Sequence, residues 1–284
     1  MLRDLSQVRS ELYRWATSDI TRVPIGYSFF DDRTHGGMAP GQAMIMLART
    51  GVGKTWFLVN VAVNTPTVPT VMFSLEMHAR YVLERVASCY TNTDTRKIEA
   101  SMMDHGRSAA VELATDELSR LYIEDEPDLG LDDMSQVLEE YEERSAVRPR
   151  LVLIDYLELI RTYGSTQMDN VQGMARALKN FAREHDVALI VLHQVKRGEA
   201  NAGHKPLDLT DGKFGGEESA DYVLGMYKPS LNPNITQVTR DEMDNDIRLQ
   251  FLKTRTGGGI QPDGVQHRWC PATGRITSRL LNYP

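Results

Sequence analysis

Apolar residues along this chain recur at two periods. In residues 1–19, Leu2, Leu5, Val8, Leu12 and Trp15 fall three or four apart, which predicts an amphipathic helix. That helix either packs on its own domain or serves as an arm on a neighbouring subunit; the spacing fits both. Turn residues follow at Pro24, Gly26, Gly36-Gly37 and Pro40-Gly41. Short apolar runs then predict strands at 43–47, 70–74, 121–123, 151–155, 187–192, 220–227 and 247–253, with a last, antiparallel one at 268–276. Helical patterns separate most of them, at 56–63, at 78–118 with breaks near 91–94 and 104–106, at 131–144 and at 171–185. The run Leu151-Val152-Leu153-Ile154 has no polar face, as expected of a central parallel strand buried on both sides. Strands alternating with helices predict an α/β fold, a mostly parallel central sheet flanked by helices with antiparallel C-terminal strands. Residues 161–170 and 196–213 are polar and read as loops.

The junction of the first strand and its helix carries the sharpest chemistry. Ala48-Arg49-Thr50-Gly51-Val52-Gly53-Lys54-Thr55 has the strand–turn–helix context of a phosphate-binding loop. Gly51 and Gly53 let the backbone turn tightly and present its amides to oxyanions, and the helix start adds its positive dipole end. Lys54 would reach the β- and γ-phosphates of ATP, and the Thr55 hydroxyl would ligate Mg²⁺. The nucleotide-binding candidates are Ala48, Arg49, Thr50, Gly51, Val52, Gly53, Lys54, Thr55 and Trp56. Ala48 stands where the G-x-x-x-x-G-K-[ST] pattern asks for glycine, a difference that a modest backbone adjustment absorbs.

Further candidates sit at strand ends, the edge where open parallel sheets bind ligands. Glu76 follows the 70–74 strand and reads equally as a carboxylate polarising a water at the γ-phosphate or as a first-turn glutamate stabilising the next helix. Asp155 fits the second Mg²⁺ ligand. Gln194 both donates and accepts, so it can sense the γ-phosphate or the attacking water. His193 reads as a strand-end residue satisfying local hydrogen bonds, and the acidic turn 124–128 as solvated surface. Lys196, Arg197, Lys205 and Lys213, together with Arg161, are the candidates for contacts to a polyanion. Lys253 and Arg255 alternate at a strand end and so share one side, which makes Arg255 a candidate arginine finger toward an adjacent subunit.

Composition narrows the classes. The 284 residues are 41% hydrophobic and 25% charged, as in an ordinary soluble globular protein. No apolar run reaches the length of a membrane span, and the N-terminus lacks the apolar core of a signal peptide, so a cytoplasmic location with no membrane partner is expected. Two distant cysteines and seven scattered histidines supply neither a disulfide frame nor metal-ligand spacing. A net charge of −7 excludes indiscriminate coating of nucleic acid but allows a local basic channel.

In order, Ala48 to Thr55, Phe73-Ser74-Leu75-Glu76-Met77, Leu153-Ile154-Asp155-Tyr156-Leu157, Gln194 and Lys253-x-Arg255-x-Gly257 resemble the C-terminal motor domain of DnaB-like replicative helicases. The stretch Gly36-Gly37-Met38-Ala39-Pro40-Gly41 is similar to that family's approach to the loop, and the resemblance covers about residues 20–276. It implies a RecA-like P-loop ATPase core at 20–284 preceded by the 1–19 helix, a ring hexamer or helical filament, and nucleotide bound between subunits. It assigns Glu76 as the catalytic carboxylate, Lys54, Thr55 and Asp155 to phosphate and Mg²⁺, Gln194 as sensor, and Lys253 and Arg255 as cations acting in trans. It turns the loops 161–170 and 196–213 toward single-stranded DNA. Three departures stand out. Only the 1–19 helix stands in place of the family's primase-engaging domain, which looks phage-like. His193 replaces the usual serine. Residues 211–217 match the family's DNA-contacting stretch poorly. The expected activity is an ATP-driven motor in replication or recombination, with possible replication or recombination partners; the rivals are a recombinase or mediator on the same core and an ATP-gated scaffold.

Overall fold

The computed structural model describes residues 2–17, 22–162, 167–196, 203–212, 215–255 and 259–278. Among these residues a single nine-stranded sheet runs through the domain. Its strands are β1 (Ala43–Ala48), β2 (Thr70–Ser74), β3 (Leu121–Glu124), β4 (Leu151–Asp155), β5 (Ala188–Gln194), β6 (Tyr222–Tyr227), β7 (Asp246–Thr254), β8 (Gln261–Trp269) and β9 (Ile276–Ser278). Their order is β3-β2-β4-β5-β1-β6-β7-β8-β9. Every pairing from β3 to β6 is parallel and every later one antiparallel. This is the predicted fold class, and the apolar runs explain it, because strands without a polar face need a layer on each side.

Both layers are present. Along β1, Met44, Met46 and Ala48 join a core with Phe57 and Leu58 of α3 (Lys54–Asn64) and Val82 and Val86 of α4 (Ala79–Thr91). The alternate residues Ala43, Ile45 and Leu47 join a second core with Leu138 of α7 (Leu131–Ser145) and Leu178 of α8 (Gln167–Glu184). Between α4 and β3 lie α5 (Thr95–His105) and α6 (Ala109–Glu117), which meet α4 around buried Ile98 and Ala114. Residues 23–38, including the short α2 (Ser28–Asp31), lie against the first core. Gly37 at φ 125 closes that segment, where a Cβ would sit 2.1 Å from the Val23 carbonyl oxygen.

The N-terminal helix, α1 (Leu5–Ala16), is capped by Asp4 and buries none of its residues. Leu2, Leu5, Val8, Leu12 and Tyr13 stay exposed, and the Arg22 guanidinium over Trp15 ties the helix to the chain that follows. Packing on its own domain, one of its two readings, is therefore not what the structure shows. No helix among the described residues is long and apolar enough to cross a membrane.

Three other expectations change. The single strand at 268–276 is two, β8 and β9, joined by a turn in which Cys270 accepts from Gly274 N–H at 2.7 Å. Pro271 and Gly274 make that turn, while Asp263-Gly264 inside β8 imitates one. The second half of the chain also holds α9 (Gln237–Met243), capped by Thr236. The acidic turn is not merely solvated, because Asp125 accepts from the Ala79 amide at the start of α4 (2.7 Å) and Asp128 pairs with Arg161.

His267 of β8 lies buried against Tyr27 and Phe29, with ring centroids 5.5 and 5.3 Å away. Nδ1 meets the Val265 carbonyl at 3.0 Å, and Nε2 is buried without a hydrogen-bond partner among the described residues. Burial holds its pKa below the ordinary 6.5. The unfolded chain therefore binds the proton more readily, and stability falls as pH drops through and below 6.5. Replacing His267 with Phe should flatten that dependence, by up to about 1.4 kcal/mol per pH unit, in denaturant unfolding between pH 5 and 8.

Candidate active site

Parallel pairing brings the predicted residues to one edge. Ala48 pairs with Gln194, and Ser74 with Asp155, so β1, β2, β4 and β5 all deliver their last residues together. Ala48 is fully buried and closes β1; its backbone lies outside the left-handed region, so glycine is not required there. The following loop does use that region. Gly51 has φ 85 and Gly53 φ 109, with nothing within 4 Å of an added Cβ, so backbone conformation rather than space restricts both. Gly53 is also the N-cap of α3 and makes no side-chain cap hydrogen bond, which leaves the first-turn amides for an anion.

Two side chains meet across the loop. The Thr55 hydroxyl donates to Asp155 Oδ2 at 2.6 Å, and Asp155 is 1% exposed. Burial pushes the Asp155 carboxyl up, against the pull of Thr55, Lys54 and Arg85. Its second oxygen, Oδ1, is buried with no hydrogen-bond partner among the described residues. An anionic oxygen buried without a donor, beside a hydroxyl, suits a hard divalent cation completed by phosphate oxygens and water. No cluster of three acidic, histidine or cysteine side chains for a metal exists among the described residues, and Thr55 with Asp155 is the pair that would hold such a cation here.

Lys54 is 9% exposed, with Nζ 5.2 Å from the centre of the Tyr156 ring. Burial pulls its pKa down, opposed by Glu158, Asp155 and Glu76. Glu76 is exposed at the end of the 74–77 turn, which the Ser74 hydroxyl closes onto the Met77 carbonyl at 2.7 Å. It acts on Lys54, Asp155 and Arg85 electrostatically. Gln194 extends β5 beyond the predicted strand end, and its backbone amide donates to Glu158 Oε1 at 3.1 Å. Trp56 packs on Gly274 and under Arg85, whose guanidinium lies 5.2 Å from the ring centre.

Arg85, Tyr156 and Glu158 were not predicted. Arg85 had a signal, because it lies three residues from Val82 and four from Cys89 on the buried stripe of α4, an unusual place for a cation. Glu158 lies in a turn whose course the sequence did not reveal. Burial pushes its carboxyl up, but His193 and the Gln194 amide outweigh this and hold it below the ordinary range.

The remaining cations divide. Lys253 and Arg255 are not at this edge. β7 runs antiparallel, and Arg255 N–H donates to the carbonyl of Asp221, whose own amide donates to Ala43, at the start of β1. At about 3.3 Å per residue that level is roughly 16 Å from Ala48, more than an arginine side chain spans. Lys253 Nζ donates to the Glu217 and Glu218 carbonyls at 3.2 and 2.6 Å, and Arg255 to Glu218 at 3.2 Å with Asp221 3.8 Å away. Lys196 and Lys205 are exposed beyond β5. Arg161 braces two segments, held by Asp133 at 2.5 Å and by the Asp128 carbonyl at 2.7 Å. Arg197 and Lys213 lie outside the described residues.

A family model described as the DnaB-like helicase C terminal domain matches residues 23–263. The replicative DNA helicase DnaC of Bacillus subtilis is 29% identical over 249 residues, 84% of this chain and 53% of that protein. The replicative DNA helicase DnaB of Geobacillus stearothermophilus is 28% identical over 255 residues, 83% of this chain and 56% of that protein. The chain thus spans about half the length of the curated relatives it matches. A solved ATPase domain superposes with a TM-score of 0.81 at 21% identity, covering 98% of this chain and all of that one. A solved DnaB-like replicative helicase, studied with primase, superposes at 0.78 and 22% identity, covering 98% of this chain and 68% of that one. The fold is RecA-like, as the resemblance implied.

Lys54 is a buried cation whose burial opposes its charge. Lys54→Met should leave the unfolding midpoint of the ligand-free protein unchanged or raised, while weakening ATP binding by about 10- to 100-fold, the worth of a charge-assisted contact. Thermal unfolding and titration with a fluorescent ATP analogue check both halves.

Proposed function

This chain belongs to the DnaB-like helicase C-terminal domain family, and from that premise we propose that it is an ATP-hydrolysing motor acting on single-stranded DNA, with each active site shared between two copies. The observation that carries the ATPase reading is the 2.6 Å Thr55–Asp155 contact beside an uncapped helix N-terminus. The loop amides hold the β-phosphate, Lys54 balances charge on the γ-phosphate, and Glu76 orients the water for in-line attack. Mg²⁺ bound by Thr55 and through Asp155 would neutralise phosphate charge. Gln194 reads the γ-phosphate, its amide fixed by Glu158. Lys253 and Arg255 point to a neighbour's nucleotide, because their own lies at the opposite sheet edge. Lys196 and Lys205, with Arg197 and Lys213, contact the DNA backbone. The replicative helicases among the relatives support a role in DNA replication, and a cytoplasmic location goes with that proposed role.

Assembly has a surface to use. The exposed apolar face of α1 fits a docking arm, with residues 20–284 as the ATPase domain it carries. A groove of 520 Å³ lined by Ala79, Leu83, Val86, Leu118 and Tyr122 offers a receiving face on a second copy, in a ring hexamer or helical filament.

ATP turnover with and without single-stranded DNA tests the motor. Wild type should be stimulated; Glu76→Gln should bind ATP and lose turnover; Arg255→Ala should bind ATP and lose about 10³-fold or more. Turnover indifferent to DNA would favour an assembly ATPase, and wild-type turnover in Arg255→Ala would remove the trans assignment. Deleting residues 1–19 should leave the unfolding midpoint unchanged and shift the protein toward monomer in sedimentation; an unchanged assembly would place the contact elsewhere.

A further inference from the structure

Three ionisable side chains that take no direct part in the proposed chemistry lie together behind Gln194. Glu158 is 11% exposed at its side chain, His193 is fully buried and Glu217 is 3% exposed. Glu158 Oε1 accepts the Gln194 amide and lies 3.3 Å from His193 Nδ1. Among the described residues, Glu158 Oε2, His193 Nε2 and Glu217 Oε1 are buried without a hydrogen-bond partner. Such groups cost free energy in one fixed arrangement.

The cluster is also where the segment 203–212 meets the sheet. Val195 bridges Gly212, and Lys196 N–H donates to Asp211 at 2.9 Å. A Cβ on Gly212 would lie 1.6 Å from Glu217 Oε1 and 2.8 Å from His193 Cδ2, so glycine alone lets these three touch. At its other end Gly203 packs on Val52 of the phosphate loop, where a Cβ would lie 3.2 Å from the Val52 side chain. Close-packed groups of this kind shift between discrete arrangements rather than deform independently.

We propose that Glu158 and His193 are positioning residues that carry the nucleotide state at Gln194 to residues 203–212, against Glu217 as the far wall. The proposal deepens the motor reading and rests on it for its purpose. Any displacement of the Gln194 amide moves or breaks the Glu158 contact, and His193, the next residue back along β5, bears directly on Gly212.

Hydrogen exchange of the full chain, with and without Mg²⁺ and a non-hydrolysable ATP analogue, tests it. In wild type the amides of 203–212 should slow by about fivefold or more on binding. At saturating analogue, Glu158→Ala and His193→Ala should both lose that response, and His193→Ala should do so while keeping analogue affinity within about twofold, an effect that general destabilisation would not confine to one segment. Glu158→Gln retains an oxygen for the Gln194 amide and should keep the response. Gly212→Ala drives a methyl group into the same contact from the other side and should lose it, which preserves the test should an alanine variant fail to fold. A wild-type response in all the alanine variants overturns the proposal, as does no response in wild type. DNA-stimulated turnover measured alongside separates the two ideas: a motor that is stimulated without this response sinks the coupling alone, and a response without stimulation sinks the motor alone.

Discussion

Strand direction is the constraint on which the rest of this molecule depends. A strand buried on both faces cannot end within the sheet, so its chemistry must be carried on the residues at its ends. Parallel strands carry it to one edge, which is why Ala48, Ser74, Asp155 and Gln194 converge although they are far apart in sequence. The switch to antiparallel pairing after β6 reverses the rule for β7 and takes Lys253 and Arg255 to the other edge. One change of direction thus separates the anion-binding half of the proposed site from its cationic half.

How far the chain could be read in advance follows from the same rule. Runs such as Leu151 to Ile154 name a buried strand unaided, and Gly51 and Gly53 need the left-handed backbone they have. The end of β5 was misplaced because His193 and Gln194 are polar yet lie in the sheet, where Glu158 accepts the Gln194 backbone amide and lies 3.3 Å from His193 Nδ1. Arg161 looked like a free cation because nothing local announces Asp133, 28 residues back in sequence. β8 was hidden by Asp263-Gly264, which the strand accommodates with Gly264 at φ 71. What escaped was tertiary partnership, and what was legible was period and backbone conformation.

The electrostatics of the edge have a common cause. Lys54, Arg85 and Asp155 are each moved away from their ordinary pKa chiefly by burial; Asp155 opposes the shift of both cations, and the two cations oppose its own. The ligand-free site is therefore a set of desolvated charges in partial balance. A polyanion entering with a cation meets groups already stripped of water, so less reorganisation remains for the bound state.

The α1 helix and the two separated edges together describe a molecule with unlike ends. On the proposed reading each copy offers phosphates on one side and an arginine on the other, a head-to-tail relation. An open row of such copies always holds one fewer complete site than it has members, with an unserved nucleotide at one end and an idle arginine at the other. Closure into a ring removes that deficit, so the geometry makes the number of working sites a measure of whether the assembly is open or closed.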